Sequence, residues 1–206
     1  MPKQVDHDGR RRQIAEAVCL LVDEHGLGAV TLRDVATRAE VSMGAVQRCF
    51  RTKEEMLRFA LAHIGERVTA RVRSRLTAGP AQSAASRLGL VAGEVALLRE
   101  EHRAEARIWL AFVAEAAVSP ALAQTLRSSY AELEELVVQL VAEASGGALA
   151  PEAGVRTEAR AEARREAWTL LALADGLTAH VLIGHRTAEE AEEILHAHLA
   201  GLWERC

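Results

Sequence analysis

Residues 31–58, TLRDVATRAEVSMGAVQRCFRTKEEMLR, set two short helical patterns on either side of a tight turn and open a third. Thr31 followed by Asp34 supplies an N-cap with an acidic residue at N3, close to a capping box. Leu32, Val35, Ala36 and Ala39 then share one helix face. Val41 fills the turn. Ser42 caps a second helix, in which Gly44 permits close packing and Val46 and Phe50 point inward. Thr52 and Glu55 form a capping box that opens a longer helix with Leu57, Leu61, Ile64, Val68 and Val72 on one face. Upstream, Ile14, Val18, Leu21 and Val22 mark an earlier helix that ends at Gly26, a C-cap. Three short helices around one small core, with a longer helix after them, make a homeodomain-like helix-turn-helix. That geometry presents one helix to the major groove of DNA.

Composition bounds the rest. Half of the 206 residues are hydrophobic but only 3% are aromatic, so the core is large and built from small aliphatic groups. The net charge of −4 argues against a strongly electrostatic nucleic-acid binder, yet its sign is uneven. Residues 1–60 carry 10 Lys/Arg against 9 Asp/Glu, and residues 61–206 carry 15 against 20. A local basic face suffices for phosphate contacts, with modest non-specific binding. No apolar h-region follows the first residues, so no signal peptide is expected. The longest apolar span, Ala167–Gly184, is interrupted by Thr169, Asp175, Thr178 and His180 and reads as a buried helix, not a membrane span. Cys19, Cys49 and Cys206 are widely spaced and odd in number, which fits a reducing cytoplasm. Cys49, in the second helix of the motif, is a packing residue or a redox switch.

Beyond residue 58 only helical patterns appear. They are punctuated at Gly79-Pro80, Ser119-Pro120, Ser145-Gly146-Gly147, Pro151-Glu152 and Gly184. Apolar stripes run through Leu88/Val91/Val95/Leu98, Ile108/Trp109/Phe112/Val113/Ala116, Leu126/Tyr130/Leu133/Val137/Leu140 and Leu195/Leu199/Leu202/Trp203, with a long helix over about 155–184. One helix is expected over 99–118 and a flexible loop over 145–155. The expected fold is all-α with about nine helices: a helix-turn-helix domain over residues 1–52, then a second helical domain over 53–206. No HExxH, Gly-rich phosphate loop, GxSxG or paired carboxylates of defined spacing occurs, so no enzymatic activity or cofactor is expected. His196 and His198 lie on nearly opposite helix faces and make a poor metal pair.

These residues resemble the TetR family of transcriptional regulators. The resemblance covers about the first 58 residues, through Ile14, Ala17, Gly26, Thr31, Val35-Ala36, Ala39, Val41-Ser42, Gly44, Phe50 and Lys53-Glu54. Three positions depart from the family pattern: Glu40 stands for Gly in the turn, Ala45 for Thr and Gln47 for a phosphate-contacting Tyr. Glu40 must therefore enter a strained turn conformation or a modified turn. Residues 175–177, DGL, and 188–203, AEEAEEILHAHLAGLW, look like the effector-binding and dimerisation domain of the BetI-like branch. The resemblance implies a cytoplasmic repressor that binds a palindromic operator as a homodimer, pairs through its last two helices and is released by a small molecule. A helix-turn-helix regulator controlled by a protein partner, with no small effector, is the alternative.

The chemistry of the residues assigns roles within that frame. Arg33 and Arg48 can each bond bidentately to guanine, while Met43 and Ala45 offer apolar contact to a thymine methyl. Thr31, Ser42, Gln47 and Lys53 suit phosphates, Lys53 beside a helix N-terminus. Arg10, Arg11 and Arg12 stand near enough in sequence to reach neighbouring phosphates or the minor groove. Trp109, Phe112, Tyr130 and Trp168 are the candidates to line an apolar effector pocket. Asp175, a carboxylate inside an apolar stretch, needs a partner: a cationic or hydroxylated ligand, or an Arg or His across the dimer. His102 and His180 are lesser candidates for the same parts.

Overall fold

The computed structural model describes residues 6–78, 82–144 and 153–204, and every regular element among them is helical. In chain order these are α1 (His7–His25), a 3-10 turn (Leu27–Ala29), α2 (Leu32–Arg38), α3 (Met43–Cys49), α4 (Lys53–Thr77) and α5 (Ala84–Val95). A second 3-10 turn (Glu100–His102) leads into α6 (Arg103–Ala116), followed by α7 (Pro120–Ala144), α8 (Ala153–Leu182) and α9 (Ala188–Glu204). Gly79-Pro80 and most of the loop expected over 145–155 lie outside the described residues.

The termini follow local chemistry. Asp6, Thr31, Ser42 and Ser83 each accept a backbone N–H at the start of their helices. Pro120 opens α7, where its missing N–H removes nothing from the helix. Gly26 ends α1 at φ 76° and donates its N–H to Val22 O at 2.8 Å. The helix expected over 99–118 is shorter: α6 begins at Arg103, because the chain leaves α5 through Leu97 at φ 49° and makes a 3-10 turn first. Thr178 on α8 reaches that exit, its Oγ1 lying 2.8 Å from Ala174 O and also bonding Ala96 O.

Packing groups the chain into two compact units. The first holds Met1–Arg67 and Arg107–Ser129. Its core includes Ile14, Val18, Val35, Val46, Phe50, Met56, Leu61, Ile64 and Phe112, all buried. An Arg107–Asp23 ion pair at 2.5 Å joins α6 to α1. The second holds Val68–Ala106 and Tyr130–Cys206. There Val72, Leu88, Val91, Val137, Leu140, Leu170, Leu195 and Leu199 form one cluster with small residues such as Ala92, Ala167 and Ala191 between them. Aliphatic side chains dominate both cores, as the composition requires. No described helix is long and apolar enough to cross a membrane.

The turn between α2 and α3 carries the one local conflict foreseen from sequence. Glu40 sits at φ 53°, in the left-handed region that glycine occupies without penalty. Its N–H reaches Thr37 O at 3.1 Å and the Val41 N–H reaches Ala36 O at 3.0 Å, the paired bonds of a Schellman cap. Replacing Glu40 with glycine is expected to raise stability by about 0.5–1 kcal/mol, the relief of left-handed strain less the added freedom of the unfolded chain. Urea unfolding checks this; an unchanged or lower midpoint would contradict it.

Candidate nucleic-acid interface

α2, the turn and α3 separate inward from outward residues cleanly. Val35, Ala36, Ala39, Val46, Cys49 and Phe50 are buried. Thr31, Arg33, Ser42, Met43, Gln47, Arg48 and Lys53 are exposed, and Ala45 is half-buried. The expected contact set thus occupies the surface of α2, α3 and the first residue of α4. The caps fix its geometry. Thr31 Oγ1 accepts from Asp34 N at 3.2 Å and donates to Asp34 Oδ2 at 2.6 Å. Ser42 Oγ accepts from Ala45 N at 3.2 Å, and Thr52 Oγ1 accepts from Glu55 N at 3.0 Å. The Glu55 carboxylate reaches back one residue further than a standard capping box, accepting from Arg51 N at 2.9 Å.

The cations of this unit fall into two classes. Arg38 is bonded to Glu24, with Nη1–Oε1 at 2.7 Å, and its guanidinium holds the Glu24 carboxyl below the usual range. Arg11 lies over the rings of Phe50 and Phe59, at 4.6 and 4.5 Å from their centroids, and pairs with Glu55 at 3.8 Å. The expectation that Arg11 reaches DNA phosphate is corrected accordingly: two aromatic faces and a carboxylate turn it inward, where cation–π attraction pins α1 to α3 and α4. Arg33, Arg48 and Lys53 have no ion pair among the described residues, and neither do Arg10, Arg12, Arg51, Arg58 and Arg127. Arg48 runs back along α3, its Nη1 only 3.5 Å from where a Cβ on Gly44 would stand. The three cations picked for base and phosphate contact are thus among those without an ion pair, and they lie on α2, α3 and the start of α4.

Cys19 and Cys49 are both buried, and Cys49 packs into the core from α3. The residues expected around an effector are distributed between the two units. Phe112 is fully buried and Trp109 half-buried, both on the α6 part of the first unit. In the second unit the Tyr130 hydroxyl on α7 donates to Asp175 on α8, supplying the carboxylate with a partner inside the chain. Trp168 is 55% exposed on α8. His180 is exposed and stacks edge-on against His185, with ring centroids 4.9 Å apart. No group of three or more potential ligands forms a metal site among the described residues.

Sequence reasoning missed an ionic cluster in the second unit. Glu94, 2% exposed near the end of α5, accepts from Arg71 Nε at 2.6 Å and lies 3.3 Å from Arg75 Nε. Glu105 on α6, also buried, pairs with Arg71 Nη1 at 2.9 Å. His102 is buried beside them, its Nε2 3.9 Å from Glu94 Oε2. The available signal was Glu94 itself, a carboxylate set among Val91, Ala92, Val95 and Ala96.

Comparisons with known proteins agree with this geometry. Residues 14–59 match the family of bacterial regulatory proteins, tetR family, and residues 84–204 match the BetI-type transcriptional repressor C-terminal family. The chain is 34% identical over 116 residues to the HTH-type transcriptional regulator PksA of Bacillus subtilis; the match spans 56% of this chain and 56% of PksA. It is 32% identical over 177 residues to the HTH-type transcriptional regulator BetI of Paraburkholderia phymatum, covering 86% of this chain and 83% of that protein. A crystal structure of a transcriptional regulator from Rhodococcus sp. Rha1 superposes with a TM-score of 0.78 at 27% identity, covering 94% of this chain and 96% of the other. A regulator from Saccharomonospora viridis, solved in complex with choline, shares the fold with a TM-score of 0.76 at 20% identity, covering 94% and 96%. Sequence match, fold and the outward set of caps and cations converge, and the chain belongs to the TetR family of DNA-binding transcriptional regulators, with a BetI-type C-terminal domain.

Proposed function

We propose that the protein is a ligand-responsive repressor that binds a near-palindromic operator as a homodimer. The observation that carries the operator reading is the uncommitted trio Arg33, Arg48 and Lys53 on one exposed surface, beside arginines already spent on internal partners. Arg33 and Arg48 read base edges, with Met43 and Ala45 against thymine methyls. Thr31, Ser42, Gln47 and Lys53 hold phosphates. Residues 1–52 act as the reading head and residues 53–206 as the regulatory and dimerisation domain.

Dimerisation is supported by a face of α8 and α9 that a lone chain leaves to water. Trp168, Ala172 and Gly176 are exposed at helical spacing along α8, Ile183 just past its end is 76% exposed, and Ile194 on α9 is 41% exposed. Large apolar groups and small residues on one face suit close helix packing against a second copy, as in a four-helix bundle. Trp168 fits this face better than an effector pocket. Two copies then offer their α3 helices to successive major grooves, roughly 34 Å apart.

Effector control is supported by the Tyr130–Asp175 pair, a carboxylate and an aromatic ring on facing helices of the second unit. Such a pair suits a small organic cation. The choline held by the Saccharomonospora viridis regulator makes choline the first probe to use. A bound effector favours one conformation, and α4, which starts at Lys53, transmits the change.

Three outcomes are expected. Arg48→Ala should weaken binding to a selected operator by roughly 1–3 kcal/mol and relax preference at one base pair; equal affinity across a panel of operator variants would remove Arg48 from base reading. Ile183→Glu should convert the dimer to monomer in sedimentation equilibrium, since a charge in the bundle is costly to bury, and a dimer of unchanged stability would move the interface elsewhere. Choline and related quaternary ammonium cations should raise the melting temperature and lower operator affinity, and Asp175→Asn should abolish both effects. A cation that raises the melting temperature without changing operator affinity would separate binding from control.

A further inference from the structure

The cluster around Glu94 is the densest set of buried ionisable groups among the described residues of the second unit, and operator binding alone gives it no role. Three elements face each other there. α4 supplies Arg71 and Arg75, and α5 supplies Glu94. The segment from Arg99 into α6 supplies Arg99, Glu101, His102 and Glu105. Arg71 is the centre, holding Glu94 through Nε and Glu105 through Nη1. It thereby clasps the distal half of α4 to α5 and to the start of α6. The same α4 begins at Lys53, on the DNA-reading surface.

His102 is the member able to change charge near neutral pH. Its side chain is 7% exposed and its backbone N–H is bonded to Arg99 O at 2.9 Å, so the ring is fixed in place. Nε2 faces Glu94 at 3.9 Å and Glu101 at 3.7 Å, while Nδ1 is buried with no hydrogen-bond partner. Arg71 Nη2 and Glu105 Oε1 are also buried without partners, so the cluster closes with little to spare. A proton on His102 would add a cation beside Arg71, which with Arg75 already neutralises Glu94, and would bury a second N–H with no acceptor.

We propose that Arg71, Glu94, Glu105 and His102 form a proton-responsive clamp on α4, closed while His102 is neutral, whose opening lowers affinity for operator DNA. Burial, and then the Arg71 guanidinium, hold the imidazole below its ordinary value of 6.5, with Glu94, Glu105 and Glu101 pulling the other way. The open form therefore binds the proton more tightly. Closure is complete above that ordinary value and is lost progressively as pH falls through it towards the depressed one. An unclamped α4 samples more arrangements, only a fraction of which suit both half-sites, and the apparent dissociation constant rises by the inverse of that fraction.

The proposal rests on the operator reading above, and its test separates the two. A duplex selected by the protein from a random library is titrated by fluorescence anisotropy at constant ionic strength, with wild type and His102→Gln. The ratio of wild-type to variant dissociation constants is expected near unity at about pH 7.5 and about threefold or more higher at about pH 5.5. Taking the ratio cancels the other histidines. A ratio that stays level overturns the clamp. Should His102→Gln misfold, the imidazole is titrated by NMR in the wild-type dimer instead. Operator binding is expected to lower the His102 pKa, because linkage is reciprocal; an equal pKa with and without DNA overturns the clamp. Failure to select any duplex overturns the operator reading itself, and the clamp with it.

Discussion

Helix α4 has to satisfy two hydrophobic cores with one uninterrupted backbone. Met56, Leu57, Ala60, Leu61 and Ile64 serve the first unit, and Val72, with Val68 and Leu76 beside it, serves the second. A helix cannot slide or rotate to suit one core without carrying the residues of the other, since close-packed interiors respond to small displacements. Glu16 on α1 adds a polar hold in the first unit, with His63 Nε2 at 2.7 Å and Arg67 Nη1 at 3.2 Å. Arg71, one turn beyond Arg67, does the corresponding work in the second. Neighbouring turns of a single helix are thus fastened to separate cores by charge.

The reading surface shows the reverse economy. Its unit is nearly neutral, so attraction to the DNA polyanion at long range is weak. What counts is which cations remain unspent. Arg11 is absorbed by two phenyl rings and Arg38 by Glu24, both interactions that stabilise the domain internally. Under the proposed operator reading, recognition would rest on a few placed groups more than on a basic field, and specificity benefits when the sequence-independent part of binding is small.

Local devices were legible in the sequence and tertiary ones were not. The caps at Thr31, Ser42 and Thr52, the glycine exit at Gly26 and the strain at Glu40 depend on residues within one turn of each other, so spacing alone reveals them. The inward stripe of α4 was equally plain from its period. Arg11 was misjudged because nothing within α1 indicates that Phe50 and Phe59 will flank it. Glu94 and Glu105 went unremarked because their shared partner, Arg71, is more than twenty residues away from each. The effector residues are the hardest case: with so few aromatics the sequence can nominate candidates, but a pocket is a property of facing helices, and Tyr130 and Asp175 stand 45 residues apart.

Tyr130 is the single tyrosine of the chain, and its hydroxyl is engaged by the Asp175 carboxylate. A phenol bound to a carboxylate emits weakly, because excitation makes it a stronger acid and the neighbouring base takes up the proton. Separating α7 from α8 at that point removes the quencher. The fold thus holds an intrinsic optical gauge of the α7–α8 contact, legible once the three tryptophans, which absorb in the same band, are replaced by phenylalanine.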